Sequence, residues 1–258
     1  MAHKIGVGTS SIDWAELERR VGAPLEARRS YRQGGNTPST MTTIEKADVA
    51  AGRMIVTSWQ PLSVSERESL VDGGSDNMIR GWLQAYPTDA NVIAIMGHEP
   101  TNTSKVHIWP NSSTYLTACD RFADILAEVN QERERRIRFW GCHIPWHAKT
   151  GQVNGWFHER WRGVAWDGYD WFGTTPEPGA IYDVAFNMTK ALDKRVAIGE
   201  FGSDLWNDDT NKPNTDRPAW IKSVRDYCDE WKAAFVLYWD NSNWLLKTDA
   251  EFQALAPR

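Results

Sequence analysis

Two glutamates in this chain follow the same local plan. In "IAIMGHEPTN" (93–102) an apolar run stops at Gly97, and His98 and Glu99 follow before Pro100 turns the chain. In "RVAIGEFGS" (195–203) a second apolar run stops at Gly199 and delivers Glu200. A carboxylate at the end of a buried strand is costly to hold unless it has a partner or a task. Two such carboxylates facing one another suit glycosidic cleavage: one protonates the leaving oxygen while the other attacks or stabilises the anomeric carbon. At a separation of about 5 Å their ionisations couple, so one stays ionised while the other keeps its proton. Either glutamate alone reads equally well as a helix cap or a salt-bridge residue. The repetition of the pattern is what points to chemistry.

The elements around them alternate. Strand candidates rich in Val, Ile and aromatics lie at 4–10, 25–31, 53–60, 91–99, 137–146, 163–171, 195–203 and 233–242. Helical spacing of apolar residues marks 11–22, with Ser11 or Asp13 near its cap, then 75–87, 113–134, 180–194 and 217–231. The strands read as near-continuous apolar runs, which suits a parallel sheet covered on both faces. Eight strands alternating with helices over 258 residues predict an α/β chain forming a (β/α)8 TIM barrel, a single domain over 1–258. A doubly wound sheet is the competitor, but no GxGxxG follows the first strand. Glu99 and Glu200 then end the fourth and seventh strands, on the C-terminal rim where barrel active sites are built. The longer polar segments 31–43, 145–162 and 203–217 are expected to rise from that same rim.

A formal charge of −5 gives no support for binding nucleic acid. The one basic cluster, "RERRIR" (133–138), falls where a helix should end and reads as cations favoured by its dipole. No apolar run is long enough for membrane insertion, and the N-terminus carries no stretch of signal-peptide length. Cys119, Cys142 and Cys228 form no CxxC pair and are expected as buried thiols. The outlier is tryptophan, with 15 residues, many among Asp, Asn and Gly as in "NGWFHERWRGVAWDGYDW" (154–171), a context that predicts exposed indoles. Composition is silent on oligomeric state.

The arrangement resembles the retaining glycoside hydrolases of the (β/α)8 superfamily called clan A. Glutamate after histidine at the fourth strand looks most like glycoside hydrolase family 26, the β-mannanase type. The resemblance implies Glu99 as acid/base, Glu200 as nucleophile and His98 as a sugar contact or positioner of the acid. It also implies Trp239, at the end of the last strand, as the floor under the sugar, and Tyr169 as the residue that orients the nucleophile. Trp59, Trp166 and Trp171 are candidates for further sugar platforms, an indole face suiting the C–H face of a pyranose. Asp167 and Asp170 are candidates for sugar hydroxyls, Asp170 alternatively for a turn cap. His143 and His147 in "GCHIPWH" invite a zinc site with Cys142 and His98, but Pro145 interrupts the helix that would align them, and sugar-contacting His143 is preferred. The loop 207–216 lacks EF-hand spacing. No metal or cofactor is expected. The expected partner is a polysaccharide or oligosaccharide, cleaved by an endo-acting hydrolase outside the cell or on a phage particle; the alternative is a non-catalytic carbohydrate-binding barrel.

Overall fold

The computed structural model describes residues 3–10, 12–35, 37–132, 134, 136–241 and 244–257. Ser11, Arg133, Arg135 and Ser242 lie outside the described residues. The strands in chain order are β1 (Lys4–Ser10), β2 (Ala27–Gln33), β3 (Met54–Gln60), β4 (Val92–Met96), β5 (Arg138–His143), β6 (Gly163–Asp170), β7 (Arg195–Ser203), β8 (Trp206–Asn207), β9 (Lys212–Pro213) and β10 (Phe235–Asp240). Eight of them are parallel and close into a (β/α)8 barrel in the order β1-β10-β7-β6-β5-β4-β3-β2, as expected from the alternation. The short β8 and β9 form a separate antiparallel ribbon within the segment read as a loop.

Among the described residues the helices are α1 (Trp14–Val21), α2 (Thr43–Ala50), α3 (Val64–Val71), α4 (Asp76–Gln84), α5 (Ser112–Glu132), α6 (Pro145–Lys149), α7 (Pro178–Ala191), α8 (Arg217–Glu230) and α9 (Asp249–Ala254). Four of these, α2, α3, α6 and α9, were not expected, and the cause is their weak apolar periodicity. The buried residues of α2 are Glu45 and Asp48, and α3 buries only Leu70, so a search for apolar spacing passes over both.

Packing divides the chain into two compact units, Met1–Arg29 with Ala165–Arg258, and Ser30–Val164. In the first, β1 pairs with β10 and with the start of β2, and β10 pairs with β7. Asp13 caps α1 by accepting from the backbone of Ala15 at 3.0 Å, and the helix buries Leu17 and Val21. In the second unit β3, β4 and β5 form one ladder, and every residue of β3 and β4 is buried, the two-sided burial that a covered parallel sheet requires.

The second unit also hides a charge. Thr42 and Glu45 form a capping box at the start of α2, and the buried Glu45 carboxylate further accepts from Ser30 at 2.9 Å, Tyr86 at 2.7 Å and Arg32 at 2.5 Å. Burial alone would raise its pKa. The Thr42 amide, Tyr86, Arg32 and Ser30 together outweigh that and hold it below the usual range.

The tryptophan expectation is corrected in part. Trp146, Trp171 and Trp206 are exposed, but Trp59, Trp140, Trp161 and Trp166 are buried, so polar neighbours in sequence do not mark an indole as a surface residue. A strand alternates its faces, and the polar neighbours simply point the other way. The three cysteines are buried free thiols.

Candidate active site

Glu200 lies inside β7 and is 6% exposed. On either side of this point β7 pairs as Ile198 with Val236 and Phe201 with Tyr238, three residues opposite two. This bulge suspends the usual alternation, so Gly199 and Glu200 border the same cluster. There the fully buried guanidinium of Arg29, from β2, places Nη1 2.8 Å from Asp167 Oδ1 and 3.0 Å from Glu200 Oε1. A Cβ on Gly199 would sit 2.4 Å from Asp167 Oδ1 and 2.8 Å from Arg29 Nη1. The glycine therefore makes room for an ion pair.

The Tyr169 hydroxyl donates to Glu200 Oε2. Tyr169 and Asp167 are two residues apart on β6 and share a face, so one strand supplies two of the groups around Glu200 and its guanidinium. The Tyr169 ring is held in turn by Trp244, centroids 4.6 Å apart, and by Trp171 at 5.4 Å. Trp171 nevertheless keeps 59% of its surface exposed. Trp239 is half-buried on β10. Asp170 takes the capping role: it accepts from the amides of Thr174 at 3.0 Å and Thr175 at 2.9 Å and from the Ser203 hydroxyl at 2.6 Å. Those bonds tie the turn after β6 to the end of β7.

In the other unit β4 ends at Met96, so Glu99 stands three residues beyond its strand. Gly97 and Glu99 both have left-handed backbones, φ 59° and 49°. For a glutamate this costs about 1 kcal/mol or more. Local bonds over-determine it: the Glu99 amide donates to the Cys142 carbonyl at 2.9 Å, and its carbonyl accepts from the Asn102 amide at 3.0 Å. The carboxylate accepts from Asn102 Nδ2 at 3.2 Å and lies 3.7 Å from Lys105 Nζ, which also donates to the His98 carbonyl at 2.7 Å. Strained non-glycine backbone held this firmly is characteristic of functional positions. At Gly97 a Cβ would come within 3.0 Å of Trp109 and 3.1 Å of Tyr115. His98 is half-buried, its ring edge-on to Tyr31 at 5.4 Å.

Three expected sugar contacts are not open to a ligand. Trp59 is fully buried, its indole N–H donating to the Gly34 carbonyl at 3.1 Å. Trp166 is fully buried and donates to Thr189 Oγ1 at 3.0 Å. His143 is fully buried, with the rings of Phe157, Trp161 and Tyr115 at 5.4, 5.6 and 6.5 Å. Burial pushes its pKa down to about 3, and His147 is lowered by the same cause. Pro145 opens α6 rather than ending a helix, and His147 on that helix meets Thr101 Oγ1 at 2.7 Å. The setting of His143 is aromatic packing, not a set of metal donors.

Sequence reasoning missed Arg29, Asn102, Lys105 and Trp244. For Arg29 a signal existed: Ala27 and Arg29 are buried while Arg28 stacks outward on Trp14 at 4.1 Å, so strand parity sends Arg29 inward. Lys105 ends a single 3₁₀ turn, Thr103–Lys105, and neither it nor Asn102 and Trp244 lies on an element with apolar periodicity.

No protein-family model matches the chain, and no curated protein matches it. Solved structures do match over nearly its whole length. The cellulose synthase subunit Z of Clostridioides difficile is 12% identical with a TM-score of 0.66, covering 99% of this chain and 99% of that one. Cel5A of Thermotoga maritima, solved with mannotriose, is 10% identical with a TM-score of 0.64, covering 98% and 97%. A modular endo-β-1,4-mannanase of Cellulomonas fimi, of glycoside hydrolase family 26, is 11% identical with a TM-score of 0.65, covering 98% and 69%. At such identities the likeness is one of fold, the (β/α)8 barrel.

Proposed function

We propose that the protein is a retaining endo-glycoside hydrolase that cleaves a β-linked polysaccharide, with Glu200 as nucleophile and Glu99 as general acid/base. The observation that carries this reading is the seat of Glu200. A carboxylate that attacks carbon must be charged, aimed and largely stripped of water. Arg29 at 3.0 Å supports the charge, the Tyr169 hydroxyl fixes one oxygen so that the other is directed, and only 6% of the residue meets solvent. Glu99 follows the fourth strand and Glu200 lies in the C-terminal half of the seventh, and catalytic residues of (β/α)8 barrels come from such strand ends.

In the first step Glu99 gives its proton to the leaving oxygen while Glu200 bonds to the anomeric carbon, forming a glycosyl ester. In the second, Glu99 takes a proton from the attacking water, the new C–O bond forms on the same face as the old one, and Glu200 leaves as carboxylate. Trp239 and the exposed Trp171 serve as sugar platforms, and His98 as a sugar contact. A polymer of this kind is met outside the cell or at its surface, where we place the activity.

The test is reducing-sugar release from plant, fungal and bacterial wall polysaccharides by the native protein, Glu99→Gln and Glu200→Gln, with the anomeric proton of the first product followed by NMR. Cleavage of one polymer with retention, lost by several orders of magnitude in both variants, is the expected result. Inversion sinks the mechanism. Binding of a polymer without cleavage replaces the enzyme by a carbohydrate-recognition barrel.

A further inference from the structure

The unit Ser30–Val164 carries a second concave site, formed where the last turns of α5 meet the start of β5 and the turn into β6. A hollow of about 390 Å³ is floored by the buried Leu126, Ile137 and Phe139 and rimmed by Arg136, Arg138, Arg160 and Arg162. Arg160 is paired with Asp124 at 2.6 Å, and Arg138 donates to Asn91 Oδ1. Among the described residues the guanidiniums of Arg136 and Arg162, both exposed, take no ion pair or hydrogen bond. An adjoining hollow of about 620 Å³ shares Arg136, Arg138 and Arg162 and adds Asp89 and Glu134, so the carboxylates lie in the larger hollow and not the smaller.

The dipole of α5 does not account for this cluster. The helix ends at Glu132 with no basic residue in its last turn, and the field of a helix end fades within one turn. Arg160 already has Asp124, but the guanidiniums of Arg136, Arg138 and Arg162 beside it are like charges whose mutual repulsion an entering anion relieves.

We propose that this hollow binds a phosphomonoester carried on a small apolar body. Guanidiniums arrive from two separate chain segments, 136–138 and 160–162, and a tetrahedral oxyanion offers oxygens to several planes at once, whereas a planar carboxylate satisfies one or two. The apolar floor accepts the body to which the phosphate is attached.

Isothermal titration calorimetry at fixed ionic strength, with phenyl phosphate, inorganic phosphate and poly(glycerol phosphate) as probes, tests this on the native protein and on Arg136→Gln/Arg162→Gln. Among the described residues neither side chain has a partner to lose, so the variant is expected to fold with an unchanged thermal midpoint. Saturable binding of phenyl phosphate, tighter than that of inorganic phosphate, is expected to weaken by about a hundredfold in the variant, since each of the two charge-assisted hydrogen bonds lost is worth about one factor of ten. Equal binding by the two proteins, or no saturable binding of phenyl phosphate, overturns the site. Binding of the phosphodiester polymer alone overturns the small-molecule assignment and leaves a polyanion surface.

Discussion

Replacing Arg29 by methionine removes a guanidinium that two buried carboxylates share. Methionine matches the length of the stem and adapts to irregular space, so the change is chiefly one of charge. Nη1 lies 2.8 Å from Asp167 and 3.0 Å from Glu200, with side-chain exposures of 0%, 0% and 8% for the three residues. At an effective dielectric of about 20, each contact supplies about 5.5–6 kcal/mol of attraction, and desolvation of the charges offsets most of that sum. The loss on substitution is set by what remains: two buried carboxylates without the guanidinium that bridges them. Breaking a buried pair in this way costs about 3–5 kcal/mol. At about 2–4 °C per kcal/mol for a chain of this size, the thermal midpoint should fall by on the order of 10 °C.

Differential scanning calorimetry at neutral pH measures this directly. Adding Asp167→Asn to Arg29→Met withdraws one of the stranded charges, so the double variant should melt above Arg29→Met by about 1 kcal/mol or more, the coupling expected between residues in contact. A melting point for Arg29→Met within about 2 °C of the native protein, under about 1 kcal/mol, would refute the reasoning, because the guanidinium would then not be what keeps two carboxylates in the interior.

Tyr169→Phe keeps the ring against Trp244 and deletes only the hydroxyl on Glu200; with a hydrogen bond to a charged group worth about 1.5–3 kcal/mol, kcat should fall roughly 10- to 100-fold with little change in melting. An unchanged kcat would remove Tyr169 from the proposed site. Asp167→Asn gives Glu200 the whole of Arg29, and kcat should fall by about tenfold or more while KM changes little, a loss confined to the transition state; a matching rise in KM would argue for ground-state binding instead. His143 yields a pH prediction. Its ring titrates at about 3 in the folded protein and near 6.5 in the unfolded chain, so above pH 6.5 neither state takes a proton. Below that, only the unfolded chain does, and stability should fall by about 1.4 kcal/mol per pH unit until about pH 3. His3 and His147 are lowered in the same sense and add to this acid limb. His143→Phe should flatten the slope by about one proton's worth, measured by urea unfolding between about pH 4 and pH 6; an unchanged slope would show that the ring is not held neutral.

Much of the barrel could be read from the sequence because its strands are buried on both faces. Continuous apolar runs such as Val92–Met96 suit a strand covered on both faces, and 195–203 coincides with β7. What escaped was polar. Helix α2 is stabilised by a capping box and a buried carboxylate, neither of which produces a periodic apolar signal. The strand candidate 91–99 overran because His98 and Glu99 continue the segment in sequence while the backbone turns left-handed at Gly97. At the site the glutamates were visible and their supports were not. Arg29 in "LEARRSY" is separated from Asp167 by more than a hundred residues, and no local rule joins them.

Gly199 and Glu200 owe their shared setting to an irregularity in β7. The pairing of Ile198 and Phe201 with Val236 and Tyr238 puts an extra residue into β7, and that bulge brings a missing side chain and a carboxylate against the same buried charges. Because Gly199 has no Cβ, Asp167 reaches Arg29; because Asp167 reaches Arg29, the guanidinium is divided between two acceptors rather than spent on Glu200 alone. A cluster of two carboxylates and one guanidinium is left with excess negative charge. Under the proposed function that excess lies where positive charge develops on the anomeric carbon, so the arrangement that makes the site expensive to fold also favours its transition state.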